Sequence, residues 1–237
     1  DGWVDLFDSL VPDILDLVAE TWPSLPPPAG DEREDIITEA LCRALRRSRT
    51  GRALPFRIDI QHVELVPSVD QEQGRIDIAF SPLIPREDIY FALECKRLNV
   101  RELGGTVRPC HAEYVHSGMV RFVTGQYGAA VHAGGMLGYV LDGQTGHAIR
   151  GVEVNVRQHH TTLSMAPPGS LLPSRLRPGD ANARETRHIR SANLGDFTIH
   201  HLFVACDPST PLRGQPLPRR TRLPTSKQRR SRSNRKK

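Results

Sequence analysis

The chain has 237 residues, of which 38% are hydrophobic and 25% are charged, a composition that is typical of a globular protein with one main domain. No apolar run approaches the roughly 18 residues that a membrane helix needs, and no signal-peptide pattern is found, so we expect a cytoplasmic protein with no membrane partner. The four cysteines contain no C-x-x-C pair. A zinc ribbon and a disulfide framework are therefore not predicted.

The net charge of +5 is distributed very unevenly. Residues 208–237 contain eight Arg, three Lys and no acid, a net charge of +11, whereas residues 1–207 contain 20 Arg, one Lys and 27 acids, a net charge of −6. The basic segment has little apolar content, so we expect a disordered tail. It either binds nucleic acid through its charge or is a solubilising terminus.

The first predicted elements are helical. Residues 3–21 space their apolar side chains at helical intervals, and Pro12 is expected to divide or kink this segment. The Pro-rich stretch "WPSLPPPAG" predicts a linker. A second helix is predicted over 31–48 with Asp31 as its N-cap, because acids follow Asp31 and arginines end the segment.

Three strands are predicted next, over 56–66, 75–83 and 89–98, and the short turns between them indicate an antiparallel meander. A long helix is predicted over 111–132, and "MLGYVLDG" after it reads as a buried strand.

The last third of the chain predicts a helix over 146–158, an extended loop rich in Pro and Arg over 159–193, and a strand over 196–206. This order of elements indicates an α/β or α+β sandwich with a mixed sheet. The ten histidines are scattered, and the doublets His159/His160 and His200/His201 lack the i, i+4 spacing of a helical metal site. We interpret them as ordinary polar residues.

Charged side chains interrupt two of the predicted strands. In "RIDIAF" the acid is Asp77, and in "IYFALECKRL" Glu94 and Lys96 share one face because strand side chains alternate. Burying a charge costs several kcal/mol unless it is paired or bound to a metal. Two neighbouring carboxylates repel each other, and Mg²⁺ relieves this, so the pattern predicts a metal site.

Lysine usage adds a second observation. Residues 1–226 contain 24 arginines and a single lysine, Lys96. A compact ammonium differs from a rigid, permanently charged guanidinium, so its placement here indicates a chemical role near a metal-bound water or a phosphate.

These residues resemble the PD-(D/E)xK superfamily, the restriction-endonuclease-like nucleases, whose signature is an acid on one strand and E-x-K on the next. "GRIDIAF" and "YFALECKRL" match with Asp77, Glu94 and Lys96, although Ile76 replaces the proline before the acid. The resemblance covers residues 31–142. It implies a restriction-endonuclease-like α/β core with a central mixed β-sheet flanked by helices, occupying residues 31–207. A helical segment and linker (1–30) precede this core, and the basic tail (208–237) follows it.

The resemblance also implies roles for individual residues. Asp77, Glu94 and the Cys95 carbonyl would hold Mg²⁺, with Mn²⁺ as a substitute, and Lys96 would position the attacking water. The family commonly adds an acid from the preceding helix, and Glu34 lies at the edge of that helix's apolar face, so it is either an auxiliary ligand or a solvated acid.

The helix that follows supplies the expected contacts to nucleic acid. Tyr114, Arg121 and Gln126 are the candidates for contacting a phosphate backbone, and Arg121 is alternatively the partner of an acid. The Q-x-x-x-Y motif found in some family members is not matched, because Gln126 directly precedes Tyr127.

The expected function is therefore metal-dependent hydrolysis of phosphodiester bonds, in DNA rather than RNA, in defence against foreign DNA or in repair. A protein partner or a homodimer would fit such a role. One alternative is a non-catalytic nucleic-acid-binding or assembly module on the same fold. Another is a structural Glu94–Lys96 ion pair in an unrelated α/β protein.

Overall fold

The computed structural model describes residues 2–63, 74–84, 86, 88–191 and 193–213. A mixed sheet of seven strands, flanked by helices on both faces, forms the body of this α/β protein. Within the described residues, no helix has both the length and the apolar character required to cross a membrane.

The N-terminal segment forms two helices, α1 (Gly2–Asp8) and α2 (Val11–Thr21), followed by a 3₁₀ turn (Trp22–Ser24). Pro12 lies in the first turn of α2, where its missing N–H has no helical partner to lose. The predicted division of this segment at Pro12 is confirmed.

The next helix, α3, spans Glu34–Gly51, and Arg33 is its N-cap residue. The prediction of Asp31 as N-cap is wrong, because the carboxylate of Asp31 accepts a hydrogen bond from the backbone N–H of Arg213, 2.8 Å away. Glu34 therefore lies at the first position of the helix, with Asp35 beside it, where the positive end of the helix dipole favours a carboxylate.

The three-strand meander is confirmed. Strands β1 (Phe56–Val63), β2 (Arg75–Pro82) and β3 (Phe91–Leu98) pair antiparallel in chain order. The predicted end of the first strand, residues 64–66, lies outside the described residues. A small hairpin of β4 (Val100–Arg101) and β5 (Val107–Arg108) follows β3.

The helix predicted over 111–132 is shorter and less regular. It consists of α4 (His111–Tyr114), a π-helical turn (Val115–Met119) and α5 (Val120–Val123). Gly125 and Gly128 both have positive φ, 76° and 66°, a conformation that no helix continues through. These glycines therefore prevent the helix from continuing, and β6 (Ala133–Val140) begins soon after.

The helix predicted over 146–158 is confirmed as α6 (Thr145–Gln158). The extended loop predicted over 159–193 is wrong in part, because it contains β7 (Leu172–Pro173) and β8 (Ala183–Ile189). The strand β8 has no apolar alternation in its sequence, because its buried positions include the polar residues Glu185, Thr186 and His188. The last strand, β9 (Asp196–Ala205), agrees with the prediction.

The sheet has the order β1-β2-β3-β6-β9-β8-β7, with β3, β6 and β9 parallel and the other neighbours antiparallel. One face packs against α1, α2 and α3, and the other packs against α4, the π turn, α5 and α6. The first three helices thus share a core with the strands that carry Asp77 and Glu94.

The basic tail is described only as far as Arg213. Before that residue, the Arg101 guanidinium donates a hydrogen bond to the carbonyl of Thr210 at 2.9 Å. The prediction of disorder for the rest of the tail, 214–237, lies outside the described residues.

Candidate functional site

The site begins where β2 and β3 separate. Their ladder runs from the Phe80–Phe91 pair to the Ile78–Leu93 pair and ends there. Beyond that point the backbone N–H of Cys95 donates to Oδ2 of Asp77 at 2.8 Å. The Asp77 carboxylate therefore takes the place of a backbone carbonyl of β2 as the acceptor for Cys95. The Asp77 side chain thus lies between β2 and β3 at this point.

Like Asp77, Glu34 accepts a hydrogen bond from a backbone N–H of β3, two residues further along the strand. Its Oε2 accepts the backbone N–H of Arg97 at 3.0 Å. Glu34 comes from α3 on one face of the sheet, whereas Glu94 and Lys96 share the opposite face with Ala92. Side chains from both faces can meet only where the sheet is open, so the gap between β2 and β3 defines the site.

Lys96 lies at the centre of this gap. Its Nζ is 2.8 Å from Oε1 of Glu94, 3.2 Å from Oε1 of Glu34 and 2.8 Å from the carbonyl oxygen of Cys95. Burial alone lowers the pKa of this ammonium, but Glu94, Glu34 and Asp77 outweigh burial and raise the pKa above its ordinary value. Lys96 is therefore a permanent cation with all three protons directed at oxygen atoms.

Glu94 is the most buried carboxylate of the group, with 1% of its side chain exposed. Its Oε1 accepts hydrogen bonds from Lys96 and, at 3.0 Å, from Nη1 of Arg121. Its Oε2 is buried and has no hydrogen-bond partner within the described part of the chain. Burial and then the neighbouring Asp77 raise the pKa of Glu94 to about 7, and burial likewise raises the pKa of Asp77.

Arg121 forms an ion pair with Glu94, as the alternative interpretation of Arg121 as the partner of an acid predicts. Besides Glu94, its Nη1 donates to the hydroxyl of Tyr127 at 2.7 Å, and that hydroxyl donates to the carbonyl of Arg75 at 2.6 Å. This chain of hydrogen bonds connects α5 to the start of β2. Burial and the charge of Glu94 raise the pKa of Tyr127 to about 12, so its hydroxyl stays neutral.

Tyr114 and Gln126, the other two candidates for phosphate contact, have different surroundings from Arg121. Tyr114 is fully buried, and its hydroxyl hydrogen-bonds to Nδ1 of His201 at 3.0 Å. The prediction that Tyr114 contacts a phosphate backbone is therefore wrong for this structure. Gln126 is half-buried in the turn after α5, with its Cγ about 3.0 Å from where a Cβ on Gly74 would lie.

A cleft of about 280 Å³ opens onto the gap from the α3 side. Asp77 and Glu34 line one part of it, and Arg33 and Arg97 line another. The site is therefore reachable from solvent, and cationic side chains lie beside its carboxylates.

The charges at the gap do not cancel. Three carboxylates, Asp77, Glu94 and Glu34, face two cations, Lys96 and Arg121, which leaves a formal charge of −1. The described residues contain no group of three or more His, Cys, Asp or Glu side chains arranged as a metal site. Mg²⁺, however, needs only one or two carboxylates plus waters and substrate oxygens.

The donors at the gap fit such a hard cation. They are carboxylate and carbonyl oxygens, and one oxygen, Oε2 of Glu94, is buried without a partner among the described residues. Asp77, Glu94 and the Cys95 carbonyl are the groups that would hold it. Cys95 contributes only backbone, because its own side chain is buried and burial keeps the pKa of its thiol well above the ordinary value.

The strand order, the two-sided helical cover and the gap beside β3 define an α/β protein with a charged site in its sheet. Comparison of the chain with protein-family models, with curated proteins and with solved structures finds no match.

Sequence reasoning did not find Tyr127 or Arg97 as members of the site. Tyr127 follows Arg121 by six residues, a spacing that a continuous helix would not place on one face, and the early end of α5 brings them together. Arg97 joins through its backbone N–H and through its guanidinium, which binds the Glu32 carbonyl at 3.0 Å. Neither contact has a signal in residue type or periodicity.

Proposed function

We propose that the protein is a metal-dependent nuclease that hydrolyses phosphodiester bonds in DNA. The observation that carries this proposal is the convergence of Asp77, Glu94, Lys96 and Glu34 on a gap in the sheet that contains a buried, unpartnered carboxylate oxygen. Buried carboxylate oxygens usually have a partner, and a bound metal ion would supply one for Oε2 of Glu94.

Each residue has a role that follows from its surroundings. A Mg²⁺ ion held by Asp77 and Glu94 would polarise the phosphate and stabilise the leaving oxygen. Lys96 cannot act as a general base, because the carboxylates around it raise its pKa. Its protons are directed at Glu94, Glu34 and the Cys95 carbonyl, so it positions these groups, and its charge would stabilise negative charge on the phosphate.

Glu34 is the acid of the group that keeps a substantial solvent-exposed fraction, 32% of its side chain. It holds the Lys96 ammonium at 3.2 Å and lines the cleft through which a substrate would enter. Arg33 and Arg97 line the same cleft and supply positive charge for the phosphate backbone.

The proposal is tested by incubating the protein with supercoiled and linear DNA in the presence of Mg²⁺ or Mn²⁺, beside Lys96→Ala and Glu34→Gln. We expect Lys96→Ala to cleave roughly 100-fold more slowly or worse, since it removes a preorganised donor. Glu39→Gln is the matched control for Glu34→Gln, because Glu39 lies on the same helix and forms an exposed ion pair with Arg43.

Equal cleavage by the wild type and Lys96→Ala would reject the site. Salt-sensitive DNA binding with no cleavage by any form, with either metal, would instead favour a non-catalytic binding module.

A further inference from the structure

Two histidine side chains meet on the surface, between the π turn and the end of α6. Nε2 of His116 and Nε2 of His159 are 3.2 Å apart, although the residues are separated by 43 positions. The histidine doublet 159/160 was interpreted from sequence as ordinary polar residues. The fold gives His159 a partner that no sequence spacing predicts.

We propose that His116 and His159 form a binding site for a divalent transition-metal ion of the zinc type. In a tetrahedral zinc site the Zn–N bonds are about 2.0–2.1 Å long, which places two ligating nitrogens about 3.3 Å apart. The observed separation of 3.2 Å matches that value. Imidazole nitrogen selects Zn²⁺, Ni²⁺ or Cu²⁺ over Mg²⁺, so this site differs in its metal from the acidic gap.

Both histidines are carried by well-fixed backbone. His116 belongs to the π turn, whose neighbours Val115, Gly118 and Met119 are buried. His159 caps the end of α6, and its backbone N–H bonds to the carbonyls of Asn155 and Val156 at 3.1 and 3.2 Å. π-Helical turns occur frequently at functional sites, and this one directs His116 toward the end of α6.

The two rings need a small adjustment to bind a tetrahedral ion. Their centroids are 4.2 Å apart with an interplanar angle of 71°, closer than the roughly 5 Å of two imidazoles around a tetrahedral ion. His116 is exposed and His159 is half-buried, so a small rotation of each ring separates the centroids while the nitrogens stay in place.

The remaining ligands are waters or an outside group, since no third His, Cys, Asp or Glu side chain among the described residues completes a metal cluster. His160 is not a ligand. Its Nδ1 lies 3.0 Å from the carbonyl of Arg157 and its Nε2 lies 3.3 Å from Oγ1 of Thr161, so the ring is turned back toward its own helix.

The experiment is a zinc titration of the full chain, in competition with a chromophoric zinc indicator, with millimolar Mg²⁺ present to occupy hard-oxygen sites. His116→Ala and His159→Ala are compared with His160→Ala, a neighbouring exposed histidine that serves as the matched control. No nucleic acid is present, so the result is independent of nuclease activity.

We expect the wild type and His160→Ala to bind one Zn²⁺ with equal affinity, and each of the other two variants to bind at least about tenfold more weakly. The proposal is overturned if His116→Ala and His159→Ala bind zinc as tightly as the wild type. It is also overturned if His160→Ala loses as much affinity as they do.

Discussion

At the scale of single residues, three oxygen atoms share the ammonium of Lys96. Because the nitrogen is compact, it reaches Glu94, Glu34 and the Cys95 carbonyl within 3.2 Å. A planar guanidinium carries its donors in a fixed fork and cannot converge on all three. Lys96 is the single lysine among 25 Lys and Arg residues in 1–226, and this geometry explains why position 96 is a lysine and not an arginine.

Lys96→Arg therefore separates charge from geometry. We expect this variant to keep the cation but to cleave DNA roughly 100-fold more slowly, close to Lys96→Ala, because the donor is misplaced. Single-turnover cleavage rates measure the effect, and far-UV circular dichroism checks the fold. A rate within twofold of the wild type would mean that the positive charge alone suffices.

Glu94 makes the stability of the metal-free protein depend on pH. Burial raises the pKa of this carboxyl from 4.5 to about 7, so the folded state binds its proton more tightly than the unfolded state. The free energy of unfolding is therefore highest below pH 4.5, as far as this group is concerned, and falls as pH rises through about 7. The full loss is roughly 3 kcal/mol.

Glu94→Gln removes this titration. In urea unfolding without divalent cations, we expect the wild type to lose about 3 kcal/mol more than Glu94→Gln between pH 4 and pH 8. Parallel pH profiles for the two proteins would show that Glu94 is ionised with equal ease in the folded and unfolded states.

At the scale of elements, Arg190, which follows β8, binds backbone carbonyls at the end of α5 and in the turn after it. Among the described residues this buried side chain has no carboxylate partner; its guanidinium bonds to backbone carbonyls and lies 4.3 Å from the ring centroid of Phe197. The carbonyls belong to Phe122, Gly128, Val131, Leu194 and Gly195. Burial lowers its pKa to about 10.

We expect Arg190→Lys to reduce the free energy of unfolding by about 2–4 kcal/mol, since three ammonium protons cannot satisfy five carbonyls and the remainder are left buried without donors. Chemical denaturation measures this loss. Arg187→Lys is the matched control on β8, because Arg187 forms a partly exposed ion pair with Glu185. If the two substitutions cost the same, Arg190 does not hold this turn.

Elements with a clear apolar periodicity could be predicted from the sequence, and elements without one could not. The meander, α6 and β9 have clear patterns, and the sequence predicted them. The strand β8 was missed because Glu185, Thr186 and His188 occupy its buried positions and take partners elsewhere in the fold. Residue type and strand period together predicted that Asp77, Glu94 and Lys96 would converge.

The contacts that complete the site were beyond sequence reasoning. Tyr127 reaches Arg121 only because α5 ends early, and the substitution of the Asp77 carboxylate for a backbone acceptor depends on the separation of β2 from β3. Similarly, His116 and His159 meet only through the packing of α6 against the π turn. Such contacts depend on the fold and have no local signature.

At the scale of the whole molecule, the charge is divided between an acidic body and a basic tail. Residues 214–237 contain ten basic side chains and no acid. We expect deletion of this segment to weaken DNA binding uniformly across sequences and to make the dependence of log affinity on log salt less steep. Fluorescence anisotropy at several salt concentrations measures both, and an unchanged slope would assign the tail no part in binding.

We propose that Asp77 and Glu94 hold a metal ion that drives hydrolysis at the gap between β2 and β3. The most direct test is the single-turnover rate of plasmid cleavage with saturating Mg²⁺, compared among the wild type, Asp77→Asn and the control Asp59→Asn on the neighbouring strand, whose carboxylate is 44% exposed. We predict Mg²⁺-dependent cleavage by the wild type and Asp59→Asn, and a rate about 1000-fold lower for Asp77→Asn. Cleavage by Asp77→Asn at the wild-type rate, or wild-type cleavage that persists undiminished in excess chelator, would contradict it.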